Sequence, residues 1–333
     1  VLTNEKLHKT AKTEILMSFY IAGTGSYVPE KVLTNDELAK MVDTSDEWIT
    51  QRVGVKERRV CTTETTGDIA CRAAERALQN AGVAPDELDL IIAATISADM
   101  ASPSLGCIIE RGIGASCMAF DVSAACSGFI FALDVAAGYF ARGMVKTALV
   151  VGAERMSRLI DWNDRSTCVI FGDGAGAAIL RAGDGYIDST FTVRGGDDVI
   201  RIPNFAGTSP FYKVETPPPY IYMNGQETFK FAVNAIVSDV SRIMEKNNLT
   251  ASDVSYIIPH QANSRIVELA QRRLGLPPEL FYVNIERYGN TSAASIPIAL
   301  DELNRSGRLS RGDKIILSAF GGGLANAACL IIW

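Results

Sequence analysis

The chain repeats itself once at long period, and this repeat limits its fold more than any other feature. The stretch Val83-Ala84-Pro85-Asp86-Glu87-Leu88-Asp89-Leu90-Ile91-Ile92 reads like Leu249-Thr250-Ala251-Ser252-Asp253-Val254-Ser255-Tyr256-Ile257-Ile258, at an offset of 166. Each is the end of a helix, a turn and a buried strand. Further on, Phe120-Asp121-Val122-Ser123 and Tyr282-Val283-Asn284-Ile285 each read as a short strand, followed by small residues and then a helical pattern over 128–142 and 292–305. Both helical patterns stop at a glycine, Gly143 and Gly307, and both lead into apolar strands, 148–151 and 315–317. The offset stays between 162 and 167 throughout. Strands alternating with helices make α/β units, and two such series in the same order make a pseudo-twofold α/β body. The expected division is 17–185 for the first half and 186–333 for the second.

A body of this kind needs a large core, and 47% hydrophobic residues in a chain of 333 supply one. No apolar run approaches the ~20 residues of a membrane-spanning helix, so a soluble protein with no membrane contact is expected. The net charge of −6, without a long like-charge block, argues against a nucleic-acid surface. Seven scattered cysteines without a CxxC pair indicate neither a disulfide framework nor a zinc ribbon, and a reducing cytoplasm is the expected location. Residues 1–16 carry Lys6, His8, Lys9 and Lys12 but no apolar core, which fails the signal-peptide test and reads as a frayed tail. Folding is expected to begin near Met17. The stretch 195–219, rich in Gly, Pro, Asn and Thr, reads as a loop, either a surface insertion or the rim of a pocket.

In a duplicated body the two strand-to-helix turns are equivalent places: Ala124-Ala125-Cys126-Ser127-Gly128 and Gly289-Asn290-Thr291-Ser292. If the halves pack about a pseudo-twofold, these turns converge, together with the loop His260-Gln261-Ala262-Asn263. A cysteine at a helix N-terminus gains thiolate character from unpaired N–H groups, so Cys126 is placed for nucleophilic work; a buried structural thiol is the other reading. Of the two histidines His8 lies in the tail, which leaves His260 as the imidazole for acid–base or hydrogen-bonding roles, unless it is merely structural.

Several other features carry weaker signals. Gly172-Asp173-Gly174-Ala175-Gly176 does not match GxGxxG spacing and is read as close packing between strands. Gly321-Gly322-Gly323 is a tight turn that can offer an N–H to an oxyanion. Thr44-Ser45-Asp46-Glu47 has capping-box spacing at the start of a short helix that puts Trp48 and Arg52 on one face, able to sandwich a flat base or simply to pack on the surface. Arg265, Arg272 and Arg273 make the helix after His260 locally basic, either a solvated face or a landing site for an acidic partner.

Five stretches in order carry a resemblance: Val42-Asp43-Thr44-Ser45-Asp46-Glu47-Trp48-Ile49, Asp121-Val122-Ser123-Ala124-Ala125-Cys126-Ser127-Gly128, Phe171-Gly172-Asp173-Gly174-Ala175-Gly176-Ala177, Pro259-His260-Gln261-Ala262-Asn263 and Gly289-Asn290-Thr291-Ser292-Ala293-Ala294-Ser295. From Met17 to Trp333 the chain resembles 3-oxoacyl-acyl-carrier-protein synthase III, the initiating condensing enzyme of type II fatty acid synthesis. The resemblance implies a thiolase-like fold with layered αβαβα architecture, a homodimer, and a catalytic triad falling on Cys126, His260 and Asn290. It also implies an oxyanion site made by Cys126 and Gly322, and coenzyme A contacts from Trp48, Arg52, Arg165 and Asn263. Lys230, Arg265, Arg272 and Arg273 would meet acidic acyl carrier protein. No metal and no cofactor is implied, the substrates being a short acyl-coenzyme A, with acetyl the expected primer, and malonyl-acyl carrier protein.

Three departures stand out: Lys56 where relatives often have arginine, Asn326 where many have tryptophan, and Ser102 where many acetyl-selective relatives have phenylalanine. They leave room for a different primer. The alternatives are a secondary-metabolism relative with an unusual primer or acceptor, and a non-catalytic scaffold partner. Retention of all three triad residues argues against the scaffold.

Overall fold

The structure is a computed structural model that describes residues 18–203, 211 and 218–333. The tail expected over 1–16 and parts of the 195–219 loop lie outside the described residues. Strands β1 (Ser18–Tyr27), β4 (Leu90–Ala94), β5 (Met118–Val122), β6 (Thr147–Arg155) and β7 (Asp173–Gly183) form one sheet in the order β1-β7-β6-β4-β5. A second sheet has the order β11-β12-β13-β8, from β8 (Tyr186–Val193), β11 (Tyr256–Pro259), β12 (Lys314–Gly321) and β13 (Ala325–Ile332). Two small ribbons pair β2 (Val32–Thr34) with β3 (Glu57–Arg59) and β9 (Ile200–Arg201) with β10 (Tyr222–Met223). The larger helices are α3 (Thr66–Ala81), α4 (Leu105–Ile113), α5 (Gly128–Ala141), α6 (Gly225–Lys246), α7 (Ser264–Leu274) and α9 (Ser295–Arg305). The short ones are α1 (Asn35–Leu38), α2 (Asp46–Arg52) and α8 (Ile285–Tyr288).

The repeat seen in the sequence is reproduced in strand register. In the first sheet Leu90 pairs with Ala148, Ala148 with Leu180 and Leu180 with Ile21; in the second Tyr256 pairs with Ile315, Ile315 with Ile331 and Ile331 with Tyr186. The senses agree in both: parallel, antiparallel, antiparallel. The halves differ at the outer strand. Where β5 runs beside β4, the described residues of the second half show a single parallel bridge between Ile257 and Phe281, and of the strand expected at 282–285 residues 282–284 are instead a connection into α8, which begins at Ile285.

Side-chain alternation turns these sheets into layers, because successive residues of a strand point to opposite faces. In β4, Leu90, Ile92 and Ala94 join one buried cluster while Ile91 and Ala93 join another; β6 does the same with Ala148 and Val150 against Leu149, Val151 and Ala153. The second sheet sends Ile315, Leu317, Ala327 and Cys329 into the first of these clusters and Ile316, Ala328 and Leu330 into a third. The shared cluster holds α5 and α9, with α3 and α4 covering the outer face of one sheet and α6 and α7 that of the other. The order is αβαβα. Helix α5 is apolar nearly all round, as a helix buried between two sheets must be.

Glycine matters to this packing in two ways. Gly143 and Gly307 take φ of 65° and 69°, ending α5 and α9 in the left-handed conformation as their placement predicts. The glycines of β7 work differently from the strand-to-strand packing expected of them. A Cβ at Gly176 would lie 2.6 Å from the Ile298 backbone N, so this strand is pressed against helix α9.

Candidate active site

The two equivalent turns and the loop after β11 open on one cavity of about 520 Å3. Cys126, His260 and Asn290 line it together, with Gly321, Gly322 and Gly323 from the β12–β13 turn. Apolar walls come from residues such as Met156, Ile170, Phe171, Phe229, Ile266 and Phe320. The rim expected of the 195–219 loop is present in part, since Ile200, Arg201, Ile202 and Pro203 belong to the lining.

Cys126 sits in a 3-10 turn, Ala125–Ser127, that runs directly into α5. Ala125 holds a positive φ of 47°, a conformation that L-residues rarely adopt, and this bend presents the half-buried thiol to the cavity. The backbone of β12 lies against the bend: a Cβ at Gly321 would fall 2.8 Å from the Cys126 N, so only glycine fits there. At Gly322 the nearest atoms to such a Cβ are 3.5 Å away, and its peptide borders the cavity. The thiolate character expected from the helix terminus is outweighed. Burial pushes the Cys126 thiol up to about 12, opposed by a hydrogen bond with Ser292 and aided by the charge of Glu154.

His260 follows the last residue of β11 and is 1% exposed. Its backbone N donates to Ser318 O at 2.8 Å, and its ring stands edge-on to Phe320 with centroids 5.2 Å apart. Nδ1 is hydrogen-bonded to Ser295 Oγ at 2.6 Å, whereas buried Nε2 has no partner among the described residues. Burial pushes the imidazole down to about 3, so it is neutral near pH 7.

Asn290 is clamped by its own backbone. Its N donates to Ile170 O at 2.9 Å and its O accepts from Gly172 N at 3.0 Å, tying it to the strand entry at Phe171. Its Oδ1 accepts from Ser292 N at 2.8 Å, which leaves the Nδ2 amide as the group free to donate. Cys126 therefore comes from the first repeat, while the imidazole and the carboxamide come from the second.

Other expected residues fall into two groups. Ser45 caps α2 by accepting from Trp48 N, without the reciprocal bond of a capping box. It is Arg165, not Arg52, that lies over the Trp48 ring, at 5.5 Å, with its Nη1 bonded to Asp43 O at 2.7 Å. Trp48, Arg52 and Arg165 stand outside the cavity wall but beside it: Ser166 lines the cavity, and Asn263, also in the lining, donates from Nδ2 to Arg52 O at 3.0 Å. The Asn263 Oδ1 accepts from Arg265 N, capping α7. Lys230, Arg265, Arg272 and Arg273 form an exposed basic face on α6 and α7, next to the cavity residues Phe229 and Ile266.

Three residues at the site had no role in the sequence reading. Ser292 holds a φ of 49° and donates to Glu154 Oε1 at 3.1 Å; Glu154 is fully buried, also bonded to Thr95, Ile96 and Ser97, and desolvation pushes its carboxyl up to about 7. The third is Ser295. Both serines lie in the stretch following Asn290, but nothing in their spacing distinguishes them from ordinary small helix-start residues. Of the departures, Asn326 donates to both oxygens of buried Asp239, at 2.9 and 2.7 Å, Lys56 pairs with Glu286 at 3.2 Å, and Ser102 is exposed.

Family models for 3-oxoacyl-[acyl-carrier-protein (ACP)] synthase III match residues 120–195, and for its C-terminal part residues 244–333. A beta-ketoacyl-[acyl-carrier-protein] synthase III of Clostridium acetobutylicum is 49% identical, covering 95% of this chain and 99% of its own. The crystal structure of 3-oxoacyl-[acyl-carrier-protein] synthase III from Aquifex aeolicus superposes with a TM-score of 0.89 at 44% identity, over 95% of this chain and all of that one. A priming β-ketosynthase of a polyketide pathway gives 0.88 at 36% identity, over 95% of this chain and 96% of its own. The chain belongs to the 3-oxoacyl-[acyl-carrier-protein] synthase III family.

Proposed function

We propose that this protein is an initiating condensing enzyme of type II fatty acid synthesis, moving an acyl group from acyl-coenzyme A to Cys126 and condensing it with malonyl-acyl carrier protein. The observation that carries the reading is the cavity in which the Cys126 thiol, the neutral His260 imidazole and the Asn290 carboxamide meet beside the Gly321–Gly322 backbone. Cys126 sulfur attacks the thioester carbonyl carbon, its proton ending on the departing coenzyme A thiol. The backbone N–H groups of Cys126 and Gly322 stabilise the tetrahedral oxyanion.

In the second half-reaction the malonyl carboxylate leaves as CO2, and its bonding electron pair passes to the thioester oxygen. His260 and Asn290 donate to that oxygen, so an enolate forms instead of a free carbanion. The enolate carbon then attacks the acyl-cysteine, and Cys126 is expelled as thiolate and reprotonated, leaving 3-oxoacyl-acyl carrier protein. Neutral donors suffice, which suits a histidine whose charging is suppressed by burial.

The supporting surfaces are consistent with the partners. The basic face on α6 and α7 suits an acidic carrier protein, and Trp48 with Arg52 and Arg165 beside the cavity suits coenzyme A. Among the described residues β5 pairs on one side only, an edge suited to a second copy of the chain. No helix among the described residues is long and apolar enough to cross a membrane, and the seven cysteines are free, in keeping with cytoplasmic work. A priming role in polyketide assembly is the second reading, favoured by the likeness to a priming β-ketosynthase of such a pathway at 36% identity.

Mass spectrometry after incubation with a panel of acyl-coenzyme A thioesters tests both. An acetyl adduct that is absent from Cys126→Ser supports fatty acid initiation; adducts confined to longer or branched acyl groups favour the second reading. No adduct with any thioester ends both.

A further inference from the structure

The reaction proposed above requires a proton on Nε2 of His260, the ring nitrogen without a partner among the described residues. A neutral imidazole carries one N–H on either nitrogen, and the bond made by the other nitrogen decides which. At Nδ1 that bond is to the hydroxyl of Ser295, at 2.6 Å, with both residues buried.

A hydroxyl has one proton and two lone pairs. The Ser295 oxygen accepts the backbone N–H of Gln261 at 3.4 Å, and among the described residues no acceptor other than Nδ1 is bonded to it. Its proton therefore goes to Nδ1. The reverse arrangement, Nδ1–H donating to Ser295, would strand the hydroxyl proton in a buried site. It would also turn a bare lone pair toward the incoming enolate oxygen, which repels it.

We propose that Ser295 is a positioning residue whose O–H donates to His260 Nδ1, holding the proton of the neutral imidazole on Nε2, where it serves the enolate. This inference rests on the condensation reading. Ser295 is the first residue of α9, in the buried middle layer, and it follows the 3-10 turn Ser292–Ala294 that continues from Asn290. One short run of chain thus supplies one donor directly and orients the other.

The sequence contains only two histidines, so nitrogen-15 NMR of histidine-labelled protein reads the tautomer with little ambiguity, His8→Gln assigning the second signal. The full chain should show His260 protonated on Nε2 and bare on Nδ1 from about pH 5.5 to 8. A wild-type spectrum with the proton on Nδ1 overturns the proposal, whatever any variant does. In Ser295→Ala the spectrum should show a mixture of tautomers, and CO2 release from malonyl-acyl carrier protein by the acyl-enzyme should slow about tenfold, the share of one neutral hydrogen bond. Acylation of Cys126 should stay within about twofold of wild type, and Ser295→Thr should restore both tautomer and rate. An unchanged spectrum and unchanged CO2 release in Ser295→Ala also overturns it. Protein with the Nε2–H tautomer that neither acylates nor releases CO2 upholds the Ser295 bond and overturns the reaction reading instead.

Discussion

At the scale of single residues, the site depends on groups that are ordinary in sequence and unusual in burial. Glu154 is a carboxyl with 0% exposure, held by Thr95, Ser97, Ser292 and a backbone N–H, one residue removed from the nucleophile through Ser292. Desolvation, partly offset by these hydrogen bonds, raises it to about 7, whereas the unfolded chain releases the same proton near 4.5. Between those values the folded protein binds more protons than the unfolded one, so this group makes stability fall as pH rises from 4.5 to 7 and level off above. The effect is up to about 3 kcal/mol. Glu154→Gln should remove that slope: its melting temperature relative to wild type should be higher at pH 8 than at pH 5. Thermal scans at both values check this, and a difference independent of pH would show that Glu154 is ionised throughout.

At the scale of elements, close approach decides where glycine is needed and where it is a weakness. Gly176 of β7 has the backbone of α9 at 2.6 Å from a would-be Cβ, so Gly176→Ala should force the helix away and cost about 2 kcal/mol or more. Gly138 in α5 has nothing within 4 Å of such a Cβ and is exposed, and Gly138→Ala should stabilise the fold by about 0.5–1 kcal/mol through backbone entropy alone. Urea unfolding of the two variants should therefore move in opposite directions. The same consideration explains the β12–β13 turn, where Gly321 makes room for the bent peptide that carries Cys126.

At the scale of the whole molecule, the charge is −6, yet the helices beside the cavity present Lys230, Arg265, Arg272 and Arg273 to solvent. Local charge of the opposite sign speeds encounter with an acidic partner and is screened by salt. Reversal at two positions, Arg272→Glu with Arg273→Glu, should raise KM for malonyl-acyl carrier protein about tenfold or more at low salt. Self-acylation by acyl-coenzyme A should hardly change. Steady-state kinetics with each substrate separates the two, and equal loss with both would place the effect in folding rather than docking.

The sequence by itself determined the architecture, because a repeat in strand, helix and glycine order at a constant offset encodes the same register twice, and alternating apolar residues determine which face of each sheet is inward. It also determined which turns carry Cys126, His260 and Asn290, since these follow strand ends that the apolar pattern marks. That the outer strand of the second sheet is reduced, among the described residues, to one bridge at Phe281 was not legible: strand pairing depends on a neighbour distant in the chain. Nor was the resting state of the nucleophile, which local dipoles favour as thiolate and enclosure holds as thiol. Arg165 over Trp48, Asn326 on Asp239 and Ser295 on His260 belong to the same class. Charge state and hydrogen-bond direction depend on how much water is excluded and on which partner stands opposite, and both are properties of the packed molecule.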